Sequence, residues 1–163
     1  RAVDGQTRVV LTGTAADHPA GLALSPDAAR LLVSDAHSPL VRVVRLDARG
    51  AVAADTVDSL SGGEAFAELF LADGRYGRQR TGPVPDATAA LAMDPQGRLY
   101  AATRAGLQVF SAEGRLLGVV SFPVPIDWLP KHPTSCAVGG DDLATVYVAC
   151  GDQVYAVRTG TGG

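Results

Sequence analysis

Three stretches of this chain follow one pattern of apolar and polar residues, and an internal repeat of this kind limits the fold more than any other feature. Each stretch has an apolar triplet, a polar turn and a second apolar run. The triplets are Leu22-Ala23-Leu24, Leu91-Ala92-Met93 and Cys136-Ala137-Val138. Their middle residues fall at positions 23, 92 and 137, and the shorter spacing is about the length of one propeller blade.

Further strands follow each repeated unit. Segments 40–47, 106–114 and 153–158 alternate in side-chain character with a period near two, which is typical of strands. Segments 65–71 and 115–122 predict a fourth strand in the first and second units, and the third unit has none. A short helix at 63–71 is the alternative there. Abundant glycine and proline otherwise disfavour helices, so we predict an all-β chain of four-stranded blades.

The predicted organisation is a partial β-propeller over residues 1–163. Residues 1–12 read as outer strands of a preceding blade, and blades follow at 18–71, 86–122 and 133–158, the last without its outer strand. Three blades cannot close a ring, and the end blades would expose apolar faces that isolated soluble proteins avoid. We therefore expect more protein to complete the ring, either from the same polypeptide or from a second copy.

Composition excludes several classes of partner. The chain has 163 residues, 47% of them hydrophobic, which suits one soluble domain. The formal charge of −3 is scattered, so no basic face favours nucleic acid. No apolar run approaches the roughly 20 residues of a membrane helix. We expect a cytoplasmic protein, and the scarcity of lysine with abundant alanine suggests a bacterial, GC-rich genome.

Cys136 and Cys150 are predicted as buried thiols on neighbouring strands, with a disulfide as the alternative.

The repeated blocks carry a family resemblance. Segments 19–35, 91–125 and 133–150, which begin "PAGLALSPD", "LAMDPQGRLY" and "PTSCAVGGDD", closely resemble the C-terminal half of the gluconolactonase, regucalcin (senescence marker protein) and luciferin-regenerating enzyme family. The resemblance implies a six-bladed propeller with calcium or zinc in its central channel, and hydrolysis of sugar lactones. In these relatives an Asn in Pro-Asn-Gly, an Asp in Pro-Asp-Gly and a Glu near the N-terminus hold the metal, and the Asp also serves as base.

The chain departs from the family at both positions that it contains. Ala20 stands where the resemblance places the Asn, and Ala89 stands where it places the Asp. A methyl group cannot bind a hard cation that requires oxygen donors. Asp86, three residues before Ala89, is the candidate substitute ligand and base. Its alternative role is ordinary turn capping or solvation in the loop.

Four other residues are candidates for the mouth of the channel. His18 precedes the first inner strand and is a candidate base or metal ligand, because imidazole titrates near neutrality. Ser135 matches a polar, channel-lining position and is a candidate for substrate contact. His132 and Trp128 lie in the preceding loop and are candidates for the wall or lid of a pocket. Each has a structural alternative, as a surface or turn residue.

The function that these features predict is a lactonase-type hydrolase with an altered or lost metal site, acting on a small-molecule lactone. A propeller that binds a ligand or protein without catalysis is one alternative. A metal-free enzyme on a scaffold similar to strictosidine synthase is another. The chain contains no nucleophile elbow, phosphate loop or dinucleotide fingerprint that would favour other chemistry.

Overall fold

The computed structural model describes most of the repeated units. The residues described are 7, 9–15, 17–53, 60–71, 89–123 and 132–160. Within these ranges the strands are β1 Pro19–Leu24, β2 Arg30–Asp35, β3 Ser38–Arg45, β4 Glu64–Glu68, β5 Ala90–Met93, β6 Leu99–Thr103, β7 Gly106–Phe110, β8 Leu116–Val120, β9 Pro133–Gly139, β10 Thr145–Cys150 and β11 Gln153–Arg158. One short 3-10 helix, Leu60–Gly62, precedes β4.

The strands form three antiparallel sheets in which each strand pairs with its neighbour in the chain. The first sheet runs β1-β2-β3-β4, the second runs β5-β6-β7-β8, and the third contains β9, β10 and β11. The all-β prediction is confirmed, and these sheets are blades of a partial propeller. Residues at 64–68 form a strand, so the helical alternative for that segment is wrong.

The apolar triplets become the first strand of each sheet because their alternation suits a sheet with two different faces. In β1, Ala23 is buried, whereas Leu22 and Leu24 are 60% and 53% exposed. Ala23 faces the second sheet, and the two leucines face the opposite side. The period of two in the sequence therefore divides β1 between an inner face and an outer face.

A buried carboxylate holds the turn after the second triplet. Asp94 is 1% exposed and accepts hydrogen bonds from the backbone N–H groups of Gln96 and Arg98. Its second oxygen lies 2.6 Å from Arg98 Nε and accepts the hydroxyl of Tyr100 at 2.9 Å. Burial, and then the bond to Asp94, raises the pKa of Tyr100 to about 12. The Asp-Pro-Gln-Gly turn is thus fixed to the start of β6.

Two apolar cores lie on opposite faces of the second sheet. The first lies between the first and second sheets, and includes Leu32, Val41, Leu91, Leu99 and Phe110. The second lies between the second and third sheets, and includes Tyr100, Ala102, Leu107, Val146 and Val148. The second sheet is therefore covered on both sides, as a blade inside a propeller is.

A buried glutamine links the first sheet to the second. Gln108 on β7 is fully buried, and its side-chain Oε1 accepts the N–H of Phe70 at 2.8 Å. Its Nε2 donates to the carbonyl of Phe70 at 2.7 Å and to Thr103 Oγ1 at 2.9 Å. This side chain pairs with the Phe70 backbone as a neighbouring strand would. It holds the segment after β4 against the second sheet.

The outer faces of the first and third sheets are apolar and exposed. Leu22 and Leu24 lie on the outer face of the first sheet, where Val9 and Val10 also line an apolar hollow with Pro19. On the third sheet, Tyr147 and Val154 are exposed apolar side chains, at 44% and 73%. The predicted outer strands at 1–12 fall partly outside the described residues, and 9–12 form no strand among those described.

Two further sequence predictions concern the cysteines and the membrane. Cys136 on β9 and Cys150 on β10 are both described and are not joined by a disulfide, so they are thiols on neighbouring strands as expected. In the part of the chain that the structure covers, no helix has the length and apolar character that crossing a bilayer requires.

Candidate functional site

The first strands of the three sheets lie side by side. β1 contacts β5, and β5 contacts β9, so β5 stands between the other two. The candidate residues Ala20, Ala89 and Ser135 lie at or near the beginnings of these strands. This edge of the inner strands is where the sequence predicts the mouth of the channel.

Backbone and side chains are closely packed where β1 meets the start of β5. The Oγ of Ser34 accepts the N–H of Gly21 at 2.8 Å and donates to the carbonyl of Ala89 at 2.7 Å. A Cβ added to Gly21 would lie 1.9 Å from that carbonyl oxygen. Only glycine permits this approach. We call Gly21, Ser34 and Ala89 the inner junction.

The two alanines at the family's ligand positions have different surroundings. Ala20 is exposed on β1. Ala89 is fully buried in the core between the first and second sheets. Neither side chain has an oxygen donor, and the described ranges contain no group of three or more His, Cys, Asp or Glu side chains arranged to hold a metal. The described residues therefore do not fit a family-type oxygen site.

His18 lies beside His37 at the end of the first hairpin. Their ring centroids are 3.9 Å apart, with the planes tilted by 47°. The buried carboxylate of Asp35 accepts the backbone N–H of His18 at 2.7 Å and that of His37 at 2.6 Å. The N–H of Ala36 donates to the carbonyl of His18 at 2.8 Å. We call His18 and His37 the histidine pair, and Asp35 the carboxylate that anchors their backbone.

The third sheet presents a different set of groups. Ser135 is exposed on β9, in register with Ala149, and His132 is half-buried just before that strand. The thiol of Cys136 points the other way, 3.4 Å from the carbonyl oxygen of Ala90. Burial raises the pKa of this thiol to about 11, so it is a packing residue and not a nucleophile at neutral pH.

The structure distributes the predicted residues and does not gather them into one cluster. His18 belongs to the first sheet, whereas Ser135 and His132 belong to the third, with β5 between. Asp86 and Trp128 lie outside the described residues. His37, which follows β2, is not among the residues that the sequence predicts for the site. No sequence signal identifies His37, because it is the register of β1 on β2, with Pro19 opposite Asp35, that brings it beside His18.

Comparison with known proteins agrees with the fold. The family model described as "SMP-30/Gluconolactonase/LRE-like region" matches residues 2–151. A gluconolactonase from Zymomonas mobilis subsp. mobilis is 30% identical over 162 residues, which are 98% of this chain and 39% of that protein. The chain thus spans about two fifths of this curated relative.

Two solved structures are similar in fold. A gluconolactonase from Xanthomonas campestris has a TM-score of 0.58 and 21% identity, covering 90% of this chain and 39% of the other. Regucalcin from Agrobacterium tumefaciens, described as a calcium-binding protein, has a TM-score of 0.54 and 18% identity, covering 80% and 37%. In both cases the match covers less than half of the solved protein.

Proposed function

The chain belongs to the SMP-30/gluconolactonase/LRE-like family, and on that basis we propose that the protein containing it hydrolyses a sugar lactone or a related lactone. The observation that carries the proposal is the family match over residues 2–151. The 30% identical gluconolactonase supports the same chemistry. We assign the reaction to the channel edge formed by β1, β5 and β9.

Lactone hydrolysis needs a base for water and an acid for the ring oxygen. Water adds to the carbonyl carbon, the bond from that carbon to the ring oxygen breaks, and the product is a hydroxy acid. In the proposed reaction His18 or Asp86 takes the proton of the attacking water and returns a proton to the leaving alkoxide. The anchor of His18 to Asp35 supports this role, because the fixed backbone restricts where the imidazole can lie.

Polar and aromatic groups near the third sheet are proposed to bind the substrate. Ser135 is exposed and offers a hydroxyl to a sugar. His132 lies three residues before it, and the predicted wall residue Trp128 comes from the same loop. Hydroxyl and imidazole groups suit a polyhydroxylated ring compound, and an aromatic wall residue would add an apolar surface for its ring face.

A divalent metal, calcium or zinc, is the cofactor that the family implies. When bound, such an ion polarises the lactone carbonyl. The described residues do not fit this site, because Ala20 and Ala89 offer methyl groups. The proposed steps therefore use only His18 and Asp86.

We propose that the exposed faces of the first and third sheets contact the rest of a six-bladed ring. Support comes from the exposed apolar residues on both faces, such as Leu22 and Val154. The remainder of the same polypeptide, or a second copy of the chain, would cover them.

A second candidate function is ligand or protein binding without lactone hydrolysis. The observation that favours it is the pair of methyl groups at Ala20 and Ala89, where the relatives are expected to carry ligands. A third candidate function, compatible with the same observation, is that of a metal-free enzyme similar to strictosidine synthase.

The test is turnover of a panel of sugar and aliphatic lactones by the complete protein, followed as proton release in a pH-stat. Added calcium or zinc and a chelator form the comparison arms. We expect turnover that falls at least tenfold in His18→Ala or Asp86→Ala, with Gln96→Leu as an exposed control. Loss with chelator would indicate substitute ligands, and indifference would indicate metal-free hydrolysis. Absence of turnover on every lactone would overturn the proposal in favour of binding.

A further inference from the structure

We propose that the inner junction joins β1 to β5 by hydrogen bonds, in place of the metal ion that the family resemblance implies there. The two expected ligand positions are Ala20, next to Gly21, and Ala89. The hydroxyl of Ser34 links these two places. The proposal concerns cation binding and the contact between sheets, so it does not depend on lactone hydrolysis.

A bulge in β1 prepares the junction. Between the paired residues Pro19 and Leu22, β1 has two residues where β2 has only Ser34. The extra residue interrupts the ladder of backbone hydrogen bonds between the two strands. The N–H of Gly21 donates to Ser34 Oγ at 2.8 Å. The serine side chain therefore completes the hydrogen bonding of the bulge.

The same hydroxyl connects the first sheet to the second. Ser34 is fully buried and donates to the carbonyl oxygen of Ala89 at 2.7 Å. A hydroxyl has one proton to donate and two lone pairs to accept with. One neutral side chain on β2 thus satisfies a donor on β1 and an acceptor at the start of β5. This link needs no ion.

The surroundings of Ala89 do not suit a ligand at this position. Its methyl group is fully buried in the core with Ala23 and Leu32. A Cβ added to Gly21 would lie 1.9 Å from the carbonyl oxygen of Ala89, so this oxygen packs against β1. Calcium needs about six to eight oxygen ligands. A carboxylate introduced at position 89 would enter the apolar core, where an unpaired charge is costly.

Position 20 differs from position 89 because it is exposed. Ala20 lies in the bulge of β1 and its side chain is open to solvent. A polar side chain is therefore tolerated at position 20, but one oxygen ligand does not hold a hard cation. Restoring the side chains that the family resemblance implies should succeed structurally at Ala20 and fail at Ala89.

Calorimetric titration with calcium tests the proposal on the complete, chelator-treated protein, with no lactone present. The double variant Ala20→Asn, Ala89→Asp should bind calcium no more tightly than the parent protein. Ala20→Asn alone is the matched control, and it should keep the affinity and the melting temperature of the parent. Calcium binding at least about tenfold tighter in the double variant would overturn the proposal. Binding by the parent that Asp86→Asn abolishes would also overturn it, because Asp86 lies three residues before Ala89.

Hydrogen exchange followed by mass spectrometry gives a measurement that needs no change at position 89. In Ser34→Ala, peptides covering the start of β1 should exchange about tenfold faster, equally in calcium and in chelator. Ser25→Ala is the matched control. Ser25 is also a buried serine, but its hydrogen bonds stay within the turn after β1, so exchange at Gly21 should not change. Unchanged exchange in Ser34→Ala, protection restored by calcium, or equal acceleration in Ser25→Ala would each overturn the proposal.

Discussion

Substitution of Gly21 by alanine should destabilise the protein strongly, because the inner junction has no space for a methyl group. The added Cβ would lie 1.9 Å from the carbonyl oxygen of Ala89 and 2.9 Å from Ser34 Oγ. Contacts of Cβ atoms under 3.0 Å essentially do not occur, so β1 and the start of β5 must separate by about 1 Å. That movement also breaks the two hydrogen bonds of Ser34.

The magnitude follows from these two effects. Overpacking costs about 1–3 kcal/mol, and each lost hydrogen bond removes about 0.5–1.5 kcal/mol. We therefore expect Gly21→Ala to lower the free energy of unfolding by about 2–6 kcal/mol. Ser34→Ala removes the hydrogen bonds without the steric clash and should cost about 1–3 kcal/mol.

Equilibrium unfolding in urea, followed by circular dichroism, measures these differences. Gly118→Ala is the matched control: a Cβ at Gly118, on β8, meets nothing within 4 Å, and the change should stay within about 0.5 kcal/mol of the parent protein. If Gly21→Ala is no less stable than Ser34→Ala, the steric argument is wrong. If it equals Gly118→Ala, the whole account of the inner junction fails.

Three further predictions concern buried polar groups. Gln108→Leu should cost about 2–4 kcal/mol in the same unfolding assay, because it removes both hydrogen bonds to Phe70; equal stability of Gln108→Leu and the exposed control Gln96→Leu would contradict this. Tyr100 should ionise near pH 12 in an ultraviolet titration; its raised pKa stabilises the fold fully below pH 10 and less as the pH rises towards 12, and ionisation at pH 10 would refute the burial argument. Cys136 should react slowly with iodoacetamide at pH 8 and quickly in denaturant, so a fast native reaction would count against its raised pKa.

The fold was predictable from the sequence because its signal is local. The triplets centred on residues 23, 92 and 137 alternate with the period of a strand, and each lies in the first strand of a sheet. Turn residues after each triplet mark where the chain reverses. These features depend on neighbours in the chain, so no knowledge of the tertiary structure was needed to interpret them.

The contacts between sheets were not predictable, since they join residues far apart in sequence. Ser34 meets Ala89 across 55 positions, and Gln108 meets Phe70 across 38. The pairing of His18 with His37 depends on the register between β1 and β2, which alternation alone does not fix. The sequence also gave no sign that Ala89 would be buried in a core, because a small residue is compatible with either environment.

Pairing only between consecutive strands has a consequence for how the chain acquires its structure. Within the three described sheets, every strand pairs with its neighbour in the chain, so each of these sheets can form soon after its own residues leave the ribosome. The long-range contacts then form as completed sheets dock, the second onto the first through Ser34 and Gln108. We therefore expect the docking of sheets, and not the pairing of strands, to be the slow step of folding. A substitution that destabilises the inner junction should then slow this docking step, which follows the formation of most secondary structure.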